Sequence, residues 1–108
     1  MGFQIGGAIL DFIVIAILNQ EDEYGYVITQ KVRKILDVSE TAMYPALKRL
    51  EKNEVLEVYD TTNNGRNRRY YKLTTKGKEL LDSYIHEWEG FKLNVEALIN
   101  GGGQNDCK

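Results

Sequence analysis

The 108-residue chain has one cysteine, one proline, one histidine and one tryptophan, and each scarcity removes a class of function. A lone Cys107 cannot form an intrachain disulfide, and a metal motif built on two cysteines is excluded. Such usage suits a reducing cytoplasm, so a cytoplasmic protein without metal or cofactor is expected. His86 has no second histidine and no nearby cysteine, so no nucleophile and base stand poised together, and no glycine loop is present to cradle a phosphate. An enzyme is therefore not expected. The longest apolar run, Ala8 to Leu18, is broken by Asp11 and supplies about half of the roughly 20 residues that a membrane span requires. It reads as a buried helix. No basic leader with a small-residue cleavage site surrounds it, and no membrane partner is expected.

Charge is scarce only on average. The formal net charge is −2, which argues against a polyanionic partner until the charges are followed along the chain. Between Lys31 and Lys78 stand twelve basic residues and six acidic ones, a local net charge of +6, and both ends are acidic. A hydrophobic content of 43% at this length fits one small folded domain, which a second copy would help to stabilise.

The stretch from Val38 to Lys52 organises the rest. On a helical wheel Met43, Ala46, Leu47 and Leu50 share one face, expected to be core. The opposite face gathers Thr41, Pro45, Lys48 and Lys52, with Tyr44 and Arg49 on its flanks, a mixture of small, hydroxyl and cationic groups suited to a phosphate-edged groove. Ser39 is the expected N-cap, and Glu40 complements the helix dipole. Pro45 lies beyond the free donors of a helix starting there, so the helix either begins late, near Thr41, or bends.

Upstream, residues 3–19 read as a helix apolar on nearly every side, with Gly6 and Gly7 weakening its start. Asp22 is placed to cap a second helix reaching about Leu36, in which Tyr24, Val27, Ile28, Val32, Ile35 and Leu36 recur at helical spacing. Only Asp37, Val38 and Ser39 separate it from the organising helix, a link that forces a helix-turn-helix angle. Downstream the period changes to two, and Asn64-Gly65 marks a two-residue hairpin turn. That turn pairs Asn63 with Arg66, Thr61 with Arg68, Asp60 with Arg69, Tyr59 with Tyr70, Val58 with Tyr71, Glu57 with Lys72 and Leu56 with Leu73. One ribbon face then carries Leu56, Val58, Tyr71 and Leu73, and the other the favourable pairs Glu57–Lys72 and Tyr59–Tyr70. Its tip is polar and basic, as a wing reaching phosphates or the minor groove would be.

Thr74 or Thr75 caps a last helix running to about Ile99. Within it Leu81, Tyr84, Trp88, Phe91, Val95 and Leu98 alternate steps of three and four, the seam of a coiled coil, and the expected partner is a second copy of the chain. Trp88 in mid-seam reads as a hydrophobic anchor. The expected architecture is mainly α with a small β-hairpin wing. Residues 1–74 form a winged helix-turn-helix DNA-binding domain, residues 75–100 a C-terminal dimerisation helix, and residues 101–108 a flexible glycine-led tail.

Three segments carry a resemblance to a known family: Tyr24-Gly25-Tyr26, the run Ser39 to Glu51 with its Tyr44-Pro45, Leu47 and Arg49-Leu50-Glu51, and Tyr70-Tyr71-Lys72-Leu73-Thr74-Thr75-Lys76-Gly77. Together they resemble the PadR family of bacterial transcriptional regulators, in particular its short members with a single C-terminal dimerisation helix. Two departures stand out, Thr41-Ala42 where the family usually has glycine-threonine, and Glu54 where it often has glycine. The resemblance implies a winged helix-turn-helix dimer that represses a promoter. Multidrug-responsive relatives carry a tryptophan midway along the last helix, flanking a pore for flat aromatic compounds, and Trp88 matches it. Asp11, with Glu89 or Asn94, would add polar contacts to such a ligand.

The expected function is a homodimeric, sequence-specific repressor on a pseudo-palindromic operator in double-stranded DNA, relieved by a planar aromatic effector. Lys48, Lys52, Arg66 and Arg68 are expected on phosphates. Thr41, Tyr44, Pro45 and Arg49 are expected on base or sugar, with Ser39 and Tyr70 completing the DNA-binding set. The alternative is a ligand-binding or protein-binding winged-helix module whose DNA affinity is incidental.

Overall fold

The computed structural model describes residues 7–101. Its elements are α1 (Gly7–Gln20), β1 (Glu23–Tyr24), α2 (Gly25–Arg33), α3 (Glu40–Lys52), β2 (Leu56–Asn63), β3 (Arg66–Leu73) and α4 (Thr75–Ile99). The expected start of the first helix at Phe3 and the expected flexible tail beyond Gly101 both lie outside the described residues.

One core joins all four helices to the base of the hairpin. Val14, Ile15 and Leu18 of α1 meet Ile28 and Val32 of α2, Met43, Leu47 and Leu50 of α3, and Val55, Leu56, Leu73 and Leu81 beyond them. The buried side of α3 is the face anticipated from its periodicity, Met43, Ala46, Leu47 and Leu50. Burying Met43, Leu47 and Leu50 contributes about 1.5–3 kcal/mol each by removing them from water. No helix among the described residues is long and apolar enough to cross a membrane.

The start of α3 resolves the question posed by Pro45. Ser39 is the N-cap and its Oγ accepts from the Ala42 N–H at 3.2 Å, so the helix begins at Glu40 and Pro45 stands inside it. The Thr41 carbonyl consequently has no N–H four residues on. That carbonyl belongs to an exposed residue.

Two expectations for the second helix are corrected. Asp22 does not cap it: Tyr24 is the N-cap residue, without a side-chain cap, while the Asp22 carboxylate accepts the Tyr59 hydroxyl at 2.6 Å. The reason is that residues 23–24 are not a turn but an unanticipated short strand, β1, paired antiparallel with β3 through Glu23↔Tyr71 and Tyr24↔Tyr70. The helix also ends at Arg33 rather than Leu36. There the Lys34 and Ile35 N–H groups reach back only three residues, which tightens the chain and turns Leu36 and Val38 towards the core and Ile35 away from it.

The hairpin register agrees with the expectation at every pair from Leu56↔Leu73 to Asn63↔Arg66. Asn64 and Gly65 both take positive φ, 55° and 78°, as a tight right-twisting turn demands. Sheet order is β1-β3-β2.

The junction of α3, the hairpin and α4 is held by backbone. Glu54 takes φ 64°, the left-handed region where the related family often has glycine, and this turns the chain from α3 into β2. Thr74 then clasps that turn. Its Oγ lies 2.6 Å from the Glu54 carbonyl and 3.0 Å from that of Val55, its N–H donates to Val55 O, and its Oγ caps α4 by accepting from the Gly77 N–H at 2.9 Å.

Candidate nucleic-acid interface

Because Met43, Ala46, Leu47 and Leu50 are consumed by the core, α3 presents Thr41, Tyr44, Pro45, Lys48 and Lys52 outward, all exposed. Tyr44 and Lys48 form one wall of a cleft of about 460 Å³. The other walls are the start of α2 (Tyr24, Gly25, Tyr26) and β3 (Asn67, Arg68, Arg69, Tyr71), with Glu51 also facing the space. A second cavity of about 380 Å³ adjoins it, lined by Lys48, Glu51, Lys52 and Arg69. The structure thus brings together Tyr44, Lys48, Lys52 and Arg68 of the residues picked out from sequence. Arg66 lies exposed at the hairpin tip, outside both cavities. Ser39 is occupied with capping and sits 3.1 Å from the Thr41 hydroxyl.

Sequence reasoning missed Tyr24, Tyr26, Asn67 and Arg69 as part of this surface. The signal for Arg69 was present in the alternation of β3, which puts it on the same side as Tyr71 and hence towards α3. For Tyr24 and Tyr26 the only signal was the family motif.

The outer face of the sheet is a ladder of rings. Tyr59 and Tyr70 stack with centroids 5.6 Å apart and planes 14° apart, Tyr24 meets Tyr70 at 5.6 Å, and Tyr26 stacks on Tyr24 at 6.4 Å. The Arg68 guanidinium carbon lies 4.5 Å from the Tyr24 ring centroid, an arrangement that orders the wing cation without neutralising it. Tyr70 is thus placed among the sheet's aromatic pairs. The hydrogen bond to Asp22 holds the Tyr59 hydroxyl protonated, its pKa pushed up to about 12.

Arg49 and Asp11, assigned from sequence to different sites, are found together. The Arg49 guanidinium pairs with the Asp11 carboxylate of α1. The Asp11 side chain is only 15% exposed, against 49% for Arg49. Burial pushes the Asp11 carboxyl above the ordinary carboxylate range, and Arg49 opposes that shift without cancelling it. Burial likewise raises the Tyr84 hydroxyl, with the Asp11 charge adding to it. Arg49 therefore ties the recognition helix to α1, a competing engagement for a side chain expected on DNA, and Asp11 is met by that cation rather than standing open to a ligand.

Along α4 the expected seam divides. Leu81 is 5% exposed inside the chain's own core, which corrects its assignment to a contact between subunits, and Tyr84 packs against that core. Trp88 follows, with Phe12 of α1 at 6.3 Å and Phe91 at 6.2 Å, while Phe12 also meets Tyr84 at 5.7 Å. Phe91 and Val95 are half-buried and Leu98 is 76% exposed. Among the described residues, no residue of α4 beyond Tyr84 belongs to or packs against the buried core cluster. Glu89 makes an exposed i,i+3 pair with Lys92 at 3.3 Å.

Two helices joined by a short link, the second cationic on its outer side and followed by a β-hairpin, define a winged helix-turn-helix protein. The model of the "Transcriptional regulator PadR-like family" matches residues 14–83, and the chain belongs to that family, one of regulators rather than enzymes. It is similar over 98% of its length to the whole of smu.1704 from Streptococcus mutans UA159, at 32% identity and a TM-score of 0.86. A PadR family transcription regulator from Clostridium difficile R20291 is 33% identical, covering 83% of this chain and 97% of its own, with a TM-score of 0.78. Bacillus subtilis PadR in complex with operator DNA shares the fold at 22% identity and a TM-score of 0.65, over 71% of this chain and 46% of that one.

Proposed function

We propose that this chain is a homodimeric, sequence-specific DNA-binding repressor of the cytoplasm, in which residues 1–74 bind DNA, residues 75–100 dimerise and residues 101–108 form a tail. The observation that carries this is the convergence of Lys48 and Lys52 of α3 with Arg68 and Arg69 of the wing on one open, cation-lined face. The operator complex of the Bacillus subtilis protein supports it by fold. Lys48, Lys52, Arg66 and Arg68 supply phosphate contacts, with Thr41, Tyr44 and Pro45 nearest to base and sugar. Ser39 and Tyr70 support them, and Arg49 joins them to the extent that Asp11 releases it. Phe91, Val95 and Leu98, together with exposed Ile85 and Ile99, supply the apolar surface that a second α4 would cover. Two recognition helices so held enter successive major grooves about 34–36 Å apart on a pseudo-palindromic site.

Binding to the DNA immediately upstream of the gene should fall steeply with salt. The Lys48→Ala, Arg68→Ala double variant should bind roughly 10- to 100-fold more weakly and show a shallower salt dependence, as lost phosphate contacts require. Equal retention of that DNA by the variant and the parent protein in an electrophoretic shift assay defeats the assignment.

A second reading is favoured by the ring cluster of Phe12, Tyr84, Trp88 and Phe91. In this reading a planar aromatic effector reaches Trp88 across the dimer and relieves repression, with Glu89 as a polar neighbour and Asp11 joining it only where Arg49 releases it. The only tryptophan should then be quenched strongly by a planar aromatic cation such as ethidium, and binding of the dye should disappear in a Trp88→Ala variant that still dimerises. Unchanged emission would leave Trp88 a packing residue alone.

A further inference from the structure

Glu51 is a carboxylate on a face otherwise rich in cations. It stands one helical turn from Lys48 on α3, and these two residues together with Arg69 of β3 line both the 460 Å³ cleft and the adjoining 380 Å³ cavity. Neither Glu51 nor Lys48 is closed into an ion pair among the described residues. The partner of Arg69 is Asp60, 3.4 Å away, and both side chains of that pair are more than half exposed, so the pair holds Arg69 only weakly. Tyr71 sits half-buried beside them; burial raises its hydroxyl, the Arg69 charge opposes that shift and the Glu51 charge adds to it.

Two cations from different elements therefore face one small volume, and both can turn into it. A backbone phosphate has two non-bridging oxygens, one for each cation, and charge-assisted hydrogen bonds of this kind are about twice as strong as neutral ones. A carboxylate at the same place repels any phosphate that enters, whatever the sequence of the duplex carrying it.

We propose that Lys48 and Arg69 form a two-armed seat for a single DNA backbone phosphate, and that Glu51 beside them holds down the affinity of this seat for duplexes in general. This rests on the DNA-binding reading above and adds a division of labour to it. Helix and wing grip the same phosphate, so the wing is braced against α3 when DNA is bound, and Glu51 suppresses binding that has only backbone contacts to support it.

The test uses the full chain and a fluorescein-labelled duplex of mixed sequence, followed by anisotropy over a series of KCl concentrations, since phosphate contacts do not depend on sequence. Lys48→Gln and Arg69→Gln should each weaken binding about tenfold. Glu51→Gln should tighten it about threefold, by removing a like charge. If one phosphate serves both arms, the double Lys48→Gln, Arg69→Gln variant should lower the magnitude of the salt slope by about 0.9 per protomer, whereas two separate contacts would lower it by about 1.8. The larger slope change overturns the shared seat, and a Glu51→Gln variant that binds no more tightly overturns the role of Glu51. Potassium phosphate competing beyond KCl of equal ionic strength would reassign the seat to a free anion and overturn it as well. Lys48 and Arg69 are exposed and Glu51 is half-buried, and circular dichroism melts should leave the midpoints of the variants close to that of the parent. A parent protein that binds no duplex at low salt sinks both the DNA-binding reading and the seat, while a parent that binds with every variant unchanged sinks the seat alone.

Discussion

The Gly77→Ala variant should lose about 3 kcal/mol or more of folding stability, among the largest effects of any single methyl added to this chain. A Cβ at position 77 would lie 2.4 Å from the Val55 carbonyl oxygen and 2.5 Å from a Leu73 methyl carbon. The Val55 carbonyl cannot step aside cheaply, because it accepts the Thr74 N–H at 3.1 Å and has the Thr74 hydroxyl at 3.0 Å. Relief would have to come from sliding α4 away from the hairpin base, which breaks the Thr74 cap and opens the core around Leu73 and Leu81. Gly90 provides the control. Nothing lies within 4 Å of its would-be Cβ, so Gly90→Ala in mid-helix should gain about 0.5–1 kcal/mol. Urea unfolding at one fixed protomer concentration measures both, and equal midpoints for Gly77→Ala and the parent would show that the junction yields.

Removing Arg49 should destabilise the protein in a manner that depends on pH. The Asp11 carboxyl is already raised above its ordinary 3.8 by burial, with Arg49 the influence pulling it down. An Arg49→Met variant keeps the packing of the side-chain stem but abandons a largely buried carboxylate, at a cost of about 1–3 kcal/mol near neutral pH. The sign follows from linkage. A group whose folded pKa lies above its unfolded one contributes stability that is present at low pH and lost as pH rises through the folded value. In the parent, ionised Asp11 is thus a modest liability at neutral pH that acid removes. In the variant the folded pKa rises further, so the penalty should shrink as pH falls through the folded value, where the carboxyl takes up its proton. The Asp11→Asn, Arg49→Met double variant should recover most of the loss near pH 7 and show little of this pH dependence. A penalty in Arg49→Met that stays constant as the pH is lowered into the acid range would mean that Asp11 is not the group left behind.

Both effects arise from contacts distant in sequence, and this marks the boundary of what the residues announced by themselves. Periodicity and local chemistry were sufficient for the buried face of α3 and its Ser39 cap, which depend on residues within one or two turns of each other, but not for where the helix starts relative to Pro45. They were sufficient for the hairpin too, because Asn64-Gly65 permits one tight turn and a side-chain period of two then sets every pair from Leu56↔Leu73 outward. The family motif located the surface but not its membership.

Three features could not be read in that way. Asp22 has the chemistry of a helix cap, yet it accepts the hydroxyl of Tyr59, 37 residues on, because β1 continues the sheet and draws the chain away from a capping geometry. Arg49 has the chemistry of a DNA contact, and Asp11, 38 residues earlier, lies within its reach only because α1 packs across α3. Leu81 keeps heptad spacing with Leu98, but Leu81 is packed into the chain's own core while Leu98 is exposed. The sequence by itself determined the order of the helices, the hairpin turn and the apolar face of α3, since those depend on steric preferences and spacing a few residues long. Only the tertiary structure decided which partner each long polar side chain meets and where the core stops, because that choice is made by whichever element packing brings within hydrogen-bonding distance.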